Sequence, residues 1–187
     1  MKILVFLLEE PSAKEMLEGV LPRILPTEIQ IRYIVFQGKQ DLEKHLVKKL
    51  KGWLLPESVF VVLRDQDAAD CIEVKQRLVR LCHDSGKSNI LIRIACRELE
   101  SFYLGDLSAV ESGLNLKNLK HLQKKQKYRN PDKLSSPASV LTEMTKNAYT
   151  KIAGSRAISP FLDVKHNCSP SFAALISGIQ NLISKEF

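Results

Sequence analysis

Six consecutive apolar residues, Ile3-Leu4-Val5-Phe6-Leu7-Leu8, run directly into Glu9-Glu10 near the start of the chain. Successive side chains of a strand point to opposite faces, so an unbroken apolar run leaves neither face for water. Such a strand belongs in a sheet covered on both sides, as in parallel α/β folds. The residues beyond it agree. Ile29–Phe36, Val59–Leu63 and Asn89–Cys96 read as further strands, and amphipathic helices are expected between them. Ser12 with Glu15 has the spacing of a capping box for the first helix, which should end near Pro22 or Pro26. Asp41–Lys51 and Asp70–His83 read as the second and third helices. Regular alternation of strand and helix predicts a largely parallel sheet with helices on both faces, joined by right-handed crossovers.

After Glu98 the pattern changes. A short helix over Glu100–Leu107 closes the α/β core, taken as residues 1–107. Residues 108–187 read as a helical extension packed on that core, with helices near 137–152 and 170–184 set off by Asn130-Pro131, Ser136-Pro137, Ser159-Pro160 and Ser169-Pro170. The apolar opening is too short for a secretory signal core, and no stretch has the ~20 apolar residues of a membrane span. Cys71, Cys82, Cys96 and Cys168 form no CxxC pair and no zinc spacing with the histidines. The expectation is a cytoplasmic protein with reduced thiols, no structural zinc and no membrane partner.

The carboxylates fall where an open α/β sheet binds its ligands, beyond the carboxyl ends of the strands. Glu9 and Glu10 follow the first strand, Asp65 and Asp67 follow the third, and Asp70 opens the next helix. If those strands are neighbours, the acids converge. Hard divalent ions take carboxylate oxygens and leave room for substrate phosphates, so Glu9, Glu10, Asp65, Asp67 and Asp70 are candidate ligands for Mg2+ or Mn2+. The competing role for Asp70 is the cap of its own helix. Glu100, among apolar neighbours beyond the fourth strand, is a candidate acid/base with a raised pKa, and Glu98 a weaker one. Arg64 and Arg97 flank the acids, either neutralising them or reaching phosphate. Cys71 reads as core rather than nucleophile. A phosphoacceptor receiver domain would share acids after strands one and three, but no fifth strand followed by lysine is evident.

Leu8-Glu9-Glu10-Pro11-Ser12 resembles the strand-to-helix Glu motif of Toprim domains, and Arg64-Asp65-Gln66-Asp67 resembles their Asp-x-Asp motif. The chain is more closely similar to a bacterial Toprim-like family of unknown function. Asp65-Gln66-Asp67-Ala68-Ala69-Asp70-Cys71, the stretch from Arg97 to Asp106, and Ser169-Pro170-Ser171-Phe172 carry that similarity. Toprim domains occur in topoisomerases, primases and the overcoming-lysogenisation-defect (OLD) nucleases. The resemblance implies a metal-dependent nuclease or phosphoryl-transfer effector of a bacterial defence system, with an ATPase partner and with Glu9, Asp65 and Asp67 as metal ligands. Toprim domains usually place Gly where this chain has Glu10, and again soon after Asp-x-Asp, where it has Ala68-Ala69. The same fold could instead serve a non-catalytic subunit that binds a nucleotide or an ATPase.

Charge is distributed unevenly along the chain. There are 28 Lys+Arg against 21 Asp+Glu, a net +7, yet residues 114–133 alone hold seven basic residues against Asp132. Lys117, Lys120, Lys124 and Lys127 follow helical spacing, with Lys125, Arg129 and Lys133 beside them and Leu114, Leu116, Leu119 and Leu122 as the apolar side. Such a strip is either a solvated helix face or a surface that tracks phosphates of DNA or RNA without reading bases. With aromatic residues at 6%, and Tyr128 the lone one in the strip, base stacking is not the mode of binding.

Overall fold

The computed structural model describes residues 2–187. Its sheet has four parallel strands in the order β2-β1-β3-β4, formed by β1 (Ile3–Leu8), β2 (Gln30–Val35), β3 (Ser58–Asp65) and β4 (Ile90–Ala95). Leu8 lies opposite Val35 on one side and Leu63 on the other, so β1 is paired along both edges.

The apolar run of β1 divides between two cores. Leu4, Phe6 and Leu8 pack with Val61 and Leu63 on one face, while Ile3, Val5 and Leu7 pack with Phe60 and Val62 on the other. Helices α2 (Lys39–Lys51) and α3 (Cys71–Asp84) cover the second face through Leu42, Leu46, Leu50, Val74 and Leu78. Helix α1 (Pro11–Val20) covers the first through Met16, Leu17 and Val20. Chain direction explains this division. The step from β1 to β2 goes one way across the sheet and the later steps go the other, and right-handed crossovers then place their helices on opposite faces.

The first face also receives α4 (Glu100–Leu104), α5 (Leu107–Gly113), α6 (Pro137–Met144), α7 (Lys151–Ile158) and α8 (Pro170–Glu186). Helix α7 lies against α1, where the Arg156 guanidinium grips both oxygens of Glu15 at 2.6 and 3.0 Å. Helix α8 lies along β4, and Arg93 of that strand donates to the Ala174 carbonyl at 2.8 Å. No helix among the described residues is long and apolar enough to cross a membrane.

Several local expectations are corrected. Glu10, not Ser12, is the N-cap of α1, with Pro11 at the first helical position, where its missing N–H costs nothing. Ser12 instead donates to Glu10 at 2.6 Å, and Glu15 faces Arg156. The helix expected over 137–152 is broken: Lys146 and Asn147 take left-handed φ values of 51° and 65°, and α7 starts afresh at Lys151. The basic strip is no α-helix. It consists of 3-10 turns at Lys120–Lys124, Gln126–Tyr128 and Pro131–Lys133, with Leu119 buried and the basic side chains exposed. Gln123 ties it down by accepting from the Leu107 N–H and donating to the Leu104 and Tyr128 carbonyls.

Where α5 meets α7 the backbones touch. A methyl group on Gly113 would lie 2.5 Å from the Ala157 carbonyl oxygen and 2.6 Å from Ile158 Cα, and backbone cannot yield as a side-chain tip can. Gly113→Ala is therefore expected to destabilise the protein by about 1–3 kcal/mol, the usual cost of overpacking, read as a lower urea midpoint at unchanged slope.

Candidate active site at the carboxyl ends of β1 and β3

Strand order places the reversal of chain direction between β1 and β3, and in open α/β sheets this crevice is where ligands bind. Glu9 leaves β1 and Asp65 ends β3 there. The Asp65 backbone N–H donates to Glu9 Oε2 at 3.1 Å, and the Glu9 N–H donates to the Leu63 carbonyl at 3.3 Å. Glu10, as N-cap of α1, stands beside them.

Glu100 approaches from α4 and is fully buried. Tyr149, on the stretch between α6 and α7, donates its hydroxyl to Glu100 Oε1 at 2.8 Å, whereas Oε2 has no hydrogen-bond partner. Tyr103 lies in the same pocket of buried polar atoms, its hydroxyl also unpartnered. Lys151, the first residue of α7, reaches both Glu10 oxygens at 3.0 and 3.3 Å. Lys39, just beyond β2, holds Asp67 Oδ2 at 2.7 Å.

The carboxyl groups feel one another. Burial raises the Asp65 pKa well above the usual carboxylate range, and the charges of Glu10, Glu9 and Glu100 add to it. Burial likewise raises Glu9, with Asp67 and Glu10 adding to the rise and the Asp65 N–H and Arg64 opposing it. Glu100 is raised by burial, against the Tyr149 hydrogen bond. For Lys151 burial pulls the other way, but Glu10, Glu100 and Asp65 outweigh it and the ammonium pKa is raised. The pocket is short of positive charge.

The structure thus gathers Glu9, Glu10, Asp65 and Glu100. Asp67 sits at the rim with φ 58°, its N–H donating to the Arg97 carbonyl at 2.7 Å, so the loops after β3 and β4 are laced together. Arg97 donates to the Asp67 carbonyl at 3.3 Å. Asp70 is the cap of α3: its Oδ1 accepts from the Ile72 and Glu73 N–H groups at 2.9 and 3.0 Å. Glu98 is spent in the same way, accepting from the Ala138 N–H at the start of α6 at 2.8 Å. Arg64 is buried, paired with Glu43 of α2 and 3.8 Å from Glu9, so it neutralises acid from beneath the site. The basic strip ends nearby. Asp132 accepts from Ser169 and the Ser171 N–H at 2.6 and 2.7 Å, and Ser171 accepts from the Cys96 N–H at the end of β4.

Sequence alone does not single out Tyr149 and Lys151, because a helix drawn through 137–152 leaves no reason to aim them at strands far away in the chain. Lys39 was within reach of sequence reasoning, since the loop after β2 must emerge at the same end of a parallel sheet.

The donor set suits a hard divalent ion: carboxylate oxygens from adjacent strand ends, mutual repulsion awaiting a cation, and a buried Glu100 oxygen without a partner. Among the described residues, no group of three or more His, Cys, Asp or Glu side chains is placed to hold a metal ion. Two cations, Lys39 and Lys151, engage the acids instead.

The family model of a domain of unknown function, DUF4276, matches residues 8–180, a span that includes every residue of this pocket. The chain belongs to the DUF4276 family. Curated protein sequences give no match. Among solved structures, this DUF4276 chain is similar to the C-terminal region of the Burkholderia pseudomallei OLD protein, with a TM-score of 0.55 and 15% identity over 96% of this chain and 98% of that one. At that identity the likeness establishes the α/β fold.

An acid whose folded pKa lies above its unfolded value binds its proton more tightly when folded. Its ionisation therefore removes stability as pH rises from the unfolded value through the folded one. In EDTA, Asp65→Asn is expected to melt above the wild type at pH 7 by about 2–4 °C, the effect of roughly 1 kcal/mol in a chain of this size. The gain should vanish toward pH 4, where the wild-type carboxyl carries its own proton. Thermal scans at both pH values test this.

Proposed function

We propose that the protein is a divalent-metal-dependent phosphodiesterase acting on nucleic acid, of Toprim type. The observation that carries this reading is the hydrogen bond from the Asp65 N–H to the Glu9 carboxylate across the β1/β3 crevice, which sets the two acids side by side. The OLD-like fold supports it.

Glu9, Asp65 and Asp67 would hold the metal, with Glu10 alongside. Mg2+ or Mn2+ there supplies positive charge for a phosphodiester and lowers the pKa of a bound water. Asp70 has its Oδ1 committed to capping α3 and is left out of this set. Lys39 and Arg97 stand at the rim, where an incoming phosphate would find donors already placed. Glu100, held by Tyr149 and with its pKa raised by burial, is the candidate donor to the leaving oxygen. The exposed side chains of Lys117, Lys120, Lys124, Lys125, Lys127 and Arg129 would bind the phosphates of the nucleic acid. Contacts of that kind follow the backbone and ignore the bases. An ATPase partner would control access to the site.

Purified protein is expected to nick plasmid or degrade linear DNA or RNA with Mn2+ or Mg2+, alone or with an adjacently encoded ATPase. Asp65→Ala and Asp67→Ala should each slow cleavage about a hundredfold or more, the loss of roughly 3 kcal/mol of charge stabilisation. No cleavage under any of these conditions would leave the non-catalytic binding subunit as the better reading. A separate measurement addresses the basic strip: replacing Lys124, Lys125 and Lys127 with Glu should weaken nucleic-acid binding and reduce the slope of log affinity against log salt by about 2–3. An unchanged slope would detach the strip from nucleic acid.

A further inference from the structure

Lys151 sets its ammonium on Glu10, beside the other acids. Its ammonium spans both Glu10 oxygens at 3.0 and 3.3 Å and interacts with the charges of Glu100 and Asp65. The two form a matched pair: a carboxylate at the N-cap of α1 and a lysine brought from a distant helix to meet it.

The two ends of this lysine are held very differently. Its backbone begins α7, which is fixed to α1 by the Arg156–Glu15 fork and seated by Gly154 directly beneath the Tyr149 ring, where no side chain would fit. Ser155, fully buried, donates to the Lys151 carbonyl. The side chain beyond is half exposed, an unbranched four-carbon stem with a rotatable head. The ammonium can therefore leave Glu10 while the helix stays in place.

We propose that Lys151 is an exchangeable counter-cation, which neutralises the acid pocket in the metal-free protein and competes with the divalent ion for it. The inference rests on reading the pocket as a metal site. An ammonium occupying both Glu10 oxygens denies them to a metal, and the two positive charges a few ångströms apart repel. Lys151 thereby lowers metal affinity and, in exchange, relieves carboxylate repulsion when no ion is bound. A purely structural ion pair would contribute equally with and without metal.

The test uses the full chain and Mn2+ alone, measured by calorimetry or by the resonance of free Mn2+, at fixed pH and salt. Lys151→Met, which keeps the stem and removes the charge, is expected to bind Mn2+ about tenfold tighter than the wild type, and Lys151→Arg to stay within about threefold of it. Thermal unfolding supplies a second readout. Lys151→Met should melt below the wild type in EDTA, and the deficit should close or reverse in saturating Mn2+, because ion binding stabilises in proportion to affinity. Lys151→Gln serves the same purpose if the Met variant does not fold. Equal or weaker Mn2+ affinity in the uncharged variants, or a melting deficit that persists in Mn2+, overturns the competition and leaves the metal reading standing. Absence of Mn2+ binding by wild type and uncharged variants alike overturns both.

Discussion

Parallel pairing of β1 with β3 is the contact on which the rest of the molecule depends. It buries the first strand along both edges and both faces, and it brings Leu8 level with Leu63 so that the next residues of each strand emerge side by side. One hydrogen bond seals the outcome, from the Asp65 N–H to the Glu9 carboxylate. Two acids more than fifty positions apart in the chain become neighbours through sheet register. Their desolvation is a by-product of the same pairing, since the strands that carry them are buried.

Helices of the C-terminal half finish the pocket. Glu100 and Tyr149 meet in the core on the α1 face, and Lys151 arrives because the chain breaks after α6 and restarts. The break has a cost of about 1–2 kcal/mol, carried by Lys146 in left-handed conformation, which Asn147 beside it adopts readily. In return it sets a cation on Glu10 and a phenol on Glu100. Asp67 and Arg97 share that unusual conformation, one in each of the two loops that frame the pocket, and they bond to each other.

Much of this architecture is legible in the sequence. The strands, the three helices between them and α8 emerge from apolar runs and helical spacing, and Glu9 and Asp65 from the rule that open sheets bind ligands at their carboxyl ends. The capping box failed because Pro11 at the first helical position left Glu10 as the cap. The basic strip failed as a helix because lysine spacing alone, with apolar residues clustered only toward its start, carries no sustained helical face; the chain folds into short turns held by Gln123 and Asp132. Asp70 caps α3 and Glu98 accepts from an N–H at the start of α6, a use of carboxylates that sequence cannot separate from ligation.

By itself the sequence determined the fold class, because six apolar residues in succession leave a strand no exposed face and force a sheet covered on both sides. It also determined which acids would stand at the strand ends, since chain order fixes what comes after a strand. Tertiary structure alone decided what surrounds them. Lys151, Tyr149 and Lys39 owe their places to helix packing and to the strand order β2-β1-β3-β4, which depend on contacts between residues distant in the chain. Those contacts leave no periodic trace in the sequence.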